Sequence, residues 1–223
     1  RFVAAHDAVI PLEWCEAAKV RDVALVQSAK TVWGVDVARF GDDSTTLAKR
    51  RGNHQLEPVK EWYGKDTMQV AGLIKAEWDA TPDKQKPVAI NVDVIGIGAG
   101  VVDRLKELGL PVVGINVAET EAVNSKAERQ FHRLRDELWW KGREWLESKD
   151  SKLCDDDETI AELTTPIYTI LSNGLIKVES KDELKARGVK SPDRADAWLL
   201  TFADLRGVGL TFQPLKIETG YIV

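Results

Sequence analysis

The order of the apolar segments constrains the fold of this chain more than any other feature of its sequence. Three β-rich segments, at residues 31–38, 45–50 and 55–63, are separated by the turn sequences RFGDD and RGN. This pattern predicts three consecutive antiparallel strands. Apolar residues at helical spacing over residues 67–79 then predict a helix.

The next part of the chain has a different pattern. Residues 88–95 are a short apolar run, residues 98–108 have helical spacing and end before Gly109, and residues 111–117 are a second apolar run. A strand, a helix and a strand in this order predict a parallel βαβ unit. Together with the antiparallel opening, this unit predicts a mixed α/β sheet flanked by helices.

The segments outside this sheet also have recognisable patterns. We predict a short helix from Pro11 to about residue 19, a long polar helix at 125–147 and a short acidic helix at 155–163. Asn173-Gly174 lies between two apolar runs and predicts a β-hairpin with a type I′ turn. Ser191-Pro192 is expected to cap a final helix that reaches about residue 205.

We expect three segments in the domain organisation: an N-terminal arm at 1–30, one core domain at 31–206 and a C-terminal tail at 207–223. The 223 residues can bury a sizeable core. The chain begins with Arg1 and its only methionine is Met68. We therefore expect it to be part of a longer protein.

The composition excludes several classes of protein. No apolar run approaches membrane-spanning length, and the two cysteines, Cys15 and Cys154, argue against a disulfide framework and favour a reducing compartment. The formal net charge of −5 argues against a protein that simply coats nucleic acid, because phosphate binding depends on lysine and arginine. The composition is typical of a globular protein.

Two buried strands each carry an aspartate. Side chains alternate along a strand, so Asp36 shares a face with Gly34, and Asp93 shares a face with Asn91, opposite the apolar residues. If the two strands are neighbours, these carboxylates converge. A buried charge is costly unless it is paired or binds a metal, and neither strand contains a lysine. The pair therefore predicts a cation site.

Further acidic residues are candidates for the same site. Asp193 and Asp196 are three residues apart in SPDRADAW and share one face of the final helix. An acid near a helix N-terminus is also favoured by the helix dipole alone. Asp42 follows the first strand and is a possible ligand, whereas Asp43 is interpreted as a turn residue.

The candidate ligands are all oxygens, which favours Mg²⁺ or Mn²⁺ over zinc. Several carboxylates can hold two such ions about 4 Å apart, one activating a water molecule and the other stabilising the leaving oxygen in phosphodiester hydrolysis. The expected chemistry is metal-dependent cleavage of nucleic acid.

Three motifs in this order, GVDVARFGDD, NVDVIGIGAGVVDRL and VESKDELKARGVKSPDRADAW, resemble the nuclease domain of the large terminase subunit of tailed bacteriophages. The resemblance spans roughly residues 31 to 205. It implies an RNase H-like fold and a two-metal endonuclease that cuts concatemeric double-stranded DNA during genome packaging. By motif match, Asp36, Asp93 and Asp193 take the role of the metal-binding and catalytic acids, and Asp196 and Asp42 match accessory positions. Whether Asp193 or Asp196 is the main third ligand stays open.

The resemblance also implies partners and a location. These are double-stranded DNA, the portal protein and the small terminase subunit, in the host cytoplasm on a motor that is not retained in the mature virion. The sequence has no GxxxxGK[ST] phosphate loop, so we expect the nuclease half alone, without the ATPase, and a monomer when isolated. A basic set next to the predicted hairpin is a candidate for contacting DNA: Lys177, Lys181, Lys185, Arg187 and Lys190.

Two other functions compete with this interpretation. The sequence GIGAG follows a strand, and Glu119 comes some twenty residues later, which is similar to a dinucleotide-binding turn. The spacing is GxGxG rather than GxGxxG, however, and Asp93 would stand beside a pyrophosphate. The second alternative is a non-catalytic module that docks the motor on the portal, with purely structural aspartates.

Overall fold

The computed structural model describes residues 8–38, 43–119 and 130–203. Within them, a six-stranded mixed sheet forms the centre of the molecule. Its strands are β1 (Thr31–Asp36), β2 (Thr45–Arg51), β3 (His54–Gln55), β4 (Lys60–Trp62), β5 (Ala89–Asp93) and β6 (Val112–Ile115). Their order in the sheet is β3-β2-β1-β5-β6, with β4 also paired to β2.

The helices of the described residues lie around this sheet. They are α1 (Leu12–Val20), α2 (Thr67–Ala80), α3 (Gly98–Glu107), α4 (Leu134–Glu147), α5 (Asp157–Thr164), α6 (Lys181–Ala186) and α7 (Asp193–Leu200), with a 3-10 turn at Asp83–Gln85. A separate hairpin consists of β7 (Tyr168–Ile170) and β8 (Ile176–Val178). None of the helices in the described ranges is long and apolar enough to cross a membrane.

The pairing confirms the predicted mixed sheet. β1 is antiparallel to β2 and parallel to β5, and β5 is parallel to β6. The predicted third strand is divided in two, because β3 and β4 pair with different parts of β2 on either side of a short irregular stretch.

The two faces of the sheet are covered by different helices. Trp33, Val35 and Ile90 face α2 and α3 in one apolar cluster, as the alternation predicted. The opposite face packs against α7. Gly34 permits this approach, since a Cβ atom at this position would lie 2.0 Å from the carbonyl oxygen of Ala197.

The N-terminal part of the described chain is packed against the core. Val9, Ile10 and Cys15 are fully buried in a cluster that includes residues of α4 and α7. This burial of apolar surface holds α1 on the domain.

The structure differs from the sequence-based expectations at three places. The helix predicted at 125–147 begins only at Leu134. Before it, Phe131 forms a β-bridge with Ile176, and the Asp136 side chain accepts the Arg133 N–H at the start of the helix. Residues 120–129 lie outside the described ranges. α6 is a helix that the sequence analysis missed. The hairpin turn is not type I′, because that turn needs two residues with positive φ and only Gly174 has one.

The final helix also differs from its prediction. It ends at Leu200, and no side chain of its own caps its N-terminus. Instead, the Glu162 carboxylate on α5 accepts the N–H groups of Arg194 and Ala195, at 2.7 and 3.0 Å. A carboxylate there satisfies unpaired donors and complements the helix dipole.

Candidate metal centre

The carboxyl ends of β1 and β5 bring two aspartates together. The parallel register pairs Val35 with Val92, so Asp36 and Asp93 follow next to each other at one edge of the sheet. Both lie on the face that α7 covers. The convergence predicted from strand alternation is therefore present.

The first turn of α7 adds two more carboxylates, Asp193 and Asp196. The amine of Lys181 lies between three of the four aspartates. Its Nζ is 2.9 Å from Oδ2 of Asp36, 3.2 Å from Oδ1 of Asp193 and 3.1 Å from Oδ2 of Asp196. We call Asp36, Asp93, Asp193 and Asp196 the aspartate cluster.

Lys181 comes from α6, and its position was missed by the sequence analysis, which assigned it to DNA contacts. Ser180 and Glu183 form a reciprocal capping box that starts α6. The sequence Ser-x-x-Glu is a signal for a helix start and could have indicated α6. No local pattern, however, indicates that the lysine side chain reaches the aspartates.

Burial and mutual repulsion dominate the electrostatics of the cluster. Burial, together with the charges of Asp196 and Asp193, raises the pKa of Asp36 to about 7 despite the opposing effect of Lys181. Burial raises the pKa of Asp93 to about 6, although its carboxylate accepts the Ile95 N–H. Burial opposes the charge on Lys181, but attraction by Asp36, Asp196 and Asp193 raises its pKa well above the ordinary value.

Asp193 and Asp196 have different surroundings. Asp193 is 2% exposed, and its carboxylate accepts the Ser44 N–H at 3.0 Å and the Ser191 hydroxyl at 2.7 Å. The bond from Ser44 joins α7 to the start of β2. In the described part of the chain, the contacts of the Asp196 carboxylate are longer: 3.1 Å to the Lys181 amine and 3.5 Å to Arg135.

The other predicted acids contribute less. Asp42 lies outside the described residues. The carboxylate of Asp43 is partly exposed and lies 3.6 Å from the Lys185 amine. Nothing in the described ranges connects Asp43 to the aspartate cluster.

The predicted DNA-contacting residues all have acidic neighbours. Lys177 pairs with Glu183 and Arg187 with Glu179, at 2.7 and 2.6 Å. Lys185 and Lys190 have longer contacts, to Asp43 and Glu61, and their side chains are 53% and 59% exposed. These two lysines are the most exposed of the set, whereas the Lys181 amine points to the aspartate cluster.

The donor set fits a divalent cation. One lysine only partly neutralises four carboxylates. Burial and the remaining negative charge raise the pKa values of Asp36 and Asp93, so a divalent cation would stabilise their charged forms. As the side chains stand, no three histidine, cysteine, aspartate or glutamate residues in the described ranges are arranged to hold a metal ion. The Lys181 amine lies in the space between the carboxylates.

Comparison with known proteins identifies the fold. No model of a protein family matches the chain, and no curated protein matches its sequence. Among solved structures, the nuclease domain of the large terminase subunit gp2 of bacterial virus Sf6 is 19% identical, with a TM-score of 0.69; the match covers 87% of this chain and 97% of that one. A mutant of the Sf6 domain with manganese and β-thujaplicinol has a TM-score of 0.70, again at 19% identity with coverage of 87% and 97%.

A second relative comes from a thermophilic phage. The large terminase nuclease of phage G20c with bound magnesium is 13% identical, with a TM-score of 0.57 and coverage of 88% of this chain and 97% of that chain. These similarities confirm the architecture predicted from the motifs and do not favour the dinucleotide-binding alternative. The chain thus has the RNase H-like fold of large terminase nuclease domains.

Proposed function

We propose that this chain is a nuclease domain that hydrolyses phosphodiester bonds of double-stranded DNA with the help of divalent metal ions. One observation carries the proposal: Asp36, Asp193 and Asp196, from two distant parts of the chain, converge on one cation position beside Asp93. The structural relatives support it, since nuclease domains from Sf6 and G20c have been solved with manganese, calcium, magnesium and cobalt.

We assign the metal ligands to Asp36, Asp93 and Asp196, with Asp193 as the acid that holds α7 in place. Asp193 already accepts hydrogen bonds from the Ser44 N–H on Oδ2 and from the Ser191 hydroxyl on Oδ1, so both of its oxygens have partners within the protein. Asp196 accepts none as short, so its oxygens are freer to bind an ion. The motif match implied the opposite roles, with Asp193 as a main ligand and Asp196 in an accessory position.

Bound Mg²⁺ or Mn²⁺, as one ion or two, would polarise the phosphate and activate a water molecule for in-line attack. The residues of the chain hold the carboxylates in position for this. Lys181 substitutes for part of the positive charge, and its amine must leave the space between Asp36 and Asp196 to admit an ion. The raised pKa of Asp36 means that this side chain must also release its proton near pH 7.

We infer the substrate from the basic surface and the partners from the resemblance of the motifs. We infer that Lys185 and Lys190, the most exposed of the basic set, contact the DNA backbone, since phosphate contacts provide most of the affinity for DNA. We further infer a role in packaging viral DNA in the host cytoplasm, with the portal protein and the small terminase subunit as partners. The isolated chain is proposed to be a monomer.

The dinucleotide-binding alternative conflicts with the charge at the turn after β5. The Asp93 carboxylate accepts the Ile95 N–H at this turn, just before α3 begins. A pyrophosphate at the N-terminus of α3 would approach this carboxylate, and the like charges would repel.

Cleavage of supercoiled plasmid tests the proposal. The chain is incubated with Mn²⁺, Mg²⁺ or EDTA beside the Asp93→Ala variant and a matched control, Asp103→Ala, which removes an exposed carboxylate from α3. We expect metal-dependent nicking or linearisation by the unaltered chain and by the control, and loss of cleavage in Asp93→Ala. Cleavage that survives in Asp93→Ala would contradict the proposal, and absence of any cleavage would favour a docking module with structural aspartates.

A further inference from the structure

Arg135, in the first turn of α4, lies at the edge of the aspartate cluster. Its Nε is 3.5 Å from Oδ1 of Asp196, within ion-pair distance. Oδ2, the other oxygen of Asp196, is 3.1 Å from the Lys181 amine. The two oxygens of Asp196 therefore face two different cations.

The same guanidinium also holds the segment that leads to Lys181. Its Nη1 donates to the Glu179 carbonyl at 2.9 Å, and Glu179 lies two residues before Lys181. Arg135 thus links the helix that carries Asp196 with the chain that carries the lysine between the aspartates. One side chain therefore contacts both the metal-binding candidate Asp196 and the segment that leads to Lys181.

The start of α4 is well anchored, so Arg135 has a rigid base. The Asp136 carboxylate accepts the Val178 N–H at 2.8 Å and the Arg133 N–H at 2.8 Å. The Arg135 backbone N–H donates to the Val117 carbonyl at 3.0 Å. These bonds fix the direction from which the guanidinium reaches Asp196.

The bonding of the guanidinium is incomplete. Its side chain is 17% exposed, and Nε and Nη2 are buried without a hydrogen-bond acceptor among the described residues. Buried donors without acceptors are costly and uncommon in proteins. Among the residues that the structure describes, Asp196 is the acid within ion-pair distance of Nε, at 3.5 Å.

We propose that Arg135 is a positioning residue of the metal centre. It holds Oδ1 of Asp196 and thereby presents Oδ2 to the cation position between the aspartates. The inference rests on the proposed function, because it assigns Asp196 as a metal ligand. Residues that orient metal ligands in this way typically change metal affinity or activity by about 10- to 100-fold when removed.

The test measures Mn²⁺ binding and plasmid cleavage as a function of Mn²⁺ concentration. The variants are Arg135→Gln, which removes the charge, and Arg135→Lys, which keeps the charge but cannot reach Glu179 and Asp196 at once. Arg143→Gln is the matched control, since Arg143 is on the same helix, donates to the Val9 carbonyl and lies over the ring of Trp14, away from the aspartates.

We expect Arg135→Gln to raise the Mn²⁺ concentration for half-maximal binding and cleavage by about 10- to 100-fold, and Arg135→Lys to restore part of this loss. Arg143→Gln should leave the Mn²⁺ dependence unchanged. A folded Arg135→Gln protein with unchanged Mn²⁺ dependence would overturn the inference. If Arg135→Gln does not fold, an unchanged Mn²⁺ dependence of Arg135→Lys would overturn it instead. Failure of the unaltered chain to bind Mn²⁺ would overturn the proposed function and this inference together.

Discussion

The amine of Lys181 lies 2.9 Å from Oδ2 of Asp36, although the two residues are 145 positions apart in the chain. This contact joins α6 to the end of β1, where the aspartate cluster forms. It also means that the cluster has a cation of its own before any metal binds. Removing the Lys181 charge should therefore lower the stability of the metal-free protein and increase its stabilisation by metal. Titrating the aspartates should change the stability of the metal-free and the metal-bound protein in opposite directions.

Replacing Lys181 by methionine should destabilise the protein without metal and increase its response to metal. The carboxylates of Asp36, Asp193 and Asp196 lose their common partner, and the Lys181 side chain is 37% exposed, so we expect a loss of about 1–3 kcal/mol, below the value for a fully buried pair. Added Mn²⁺ should then raise the melting temperature of the variant more than that of the unaltered chain. Thermal unfolding in EDTA and in Mn²⁺ measures both effects.

A Lys75→Met variant is the control for this experiment. Lys75 pairs with Asp79 on the surface of α2, so its loss should change stability by under about 1 kcal/mol and leave the response to Mn²⁺ unaltered. An equal response to Mn²⁺ in Lys181→Met and the unaltered chain would contradict the view that the lysine occupies the cation position.

The stability of the metal-free protein should fall as the pH rises from about 5 to 8. Burial raises the pKa of Asp36 to about 7, of Asp93 to about 6 and of Glu162 to about 7. A carboxyl whose pKa is higher in the folded state binds more protons there than in the unfolded state. Its contribution to stability is therefore present at low pH and is lost as the pH rises through the folded pKa.

Mn²⁺ should reverse this trend, because metal binding requires deprotonated carboxylates and is stronger at higher pH. Denaturant unfolding at several pH values, in EDTA and in Mn²⁺, measures the two slopes. The Asp36→Asn variant should flatten both. A metal-free stability that rises steadily from pH 5 to pH 8 would show that the carboxyl groups do not titrate as their burial implies.

Strand alternation was sufficient to place Asp36 and Asp93 on the face opposite Trp33 and Val35, because the period of two along a strand is a local property of the sequence. The strand–helix–strand order of residues 88–117 predicted that β5 and β6 are parallel, since the βαβ pattern is local too. The separation of the third strand into β3 and β4 depends on how each half meets β2 and could not be predicted.

The remaining differences arise from contacts between distant segments. Lys181 reaches Asp36 only because the tertiary fold places the start of α6 beside the aspartates, and no spacing in the sequence encodes that. Glu162 caps α7 from another helix, so Ser191 is not needed for this. Gly174 suits several turn types, and the dipeptide Asn173-Gly174 alone does not distinguish a type I′ turn from a three-residue loop.

Replacing Glu162 by alanine should affect both stability and the metal centre. Its carboxylate is the acceptor for the Arg194 and Ala195 N–H groups at the start of α7. Loss of a helix cap costs about 0.5–2 kcal/mol, and here the helix also carries Asp193 and Asp196. We expect a weaker affinity for Mn²⁺ in addition to the lower melting temperature.

Asp66→Ala separates the two effects, since Asp66 caps α2 by accepting the Gln69 N–H at 2.8 Å, away from the cluster. It should lower stability by a similar amount and leave Mn²⁺ affinity unchanged. If both variants bind Mn²⁺ as the unaltered chain does, the cap on α7 has no role in placing the aspartates.

Substitution of Gly34 by alanine should displace α7 from the sheet. The added Cβ would lie 2.0 Å from the Ala197 carbonyl oxygen and 3.0 Å from Cβ of Leu200, so the helix must move away from β1. Overpacking of this kind costs typically about 1–3 kcal/mol. Because Asp36 is on β1 and Asp196 is on α7, the same movement separates the carboxylates, and Mn²⁺ affinity should fall with stability.

Gly72→Ala is the matched control, because outside the backbone of α2 itself none of the described residues has an atom within 4 Å of the added Cβ. Alanine is also favoured over glycine in a helix by roughly 0.5–1 kcal/mol. Denaturant unfolding and Mn²⁺ titration should therefore show Gly34→Ala losing stability and affinity, and Gly72→Ala gaining stability at constant affinity. A Gly34→Ala protein as stable as the unaltered chain would mean that α7 does not pack on β1 as closely as the structure has it.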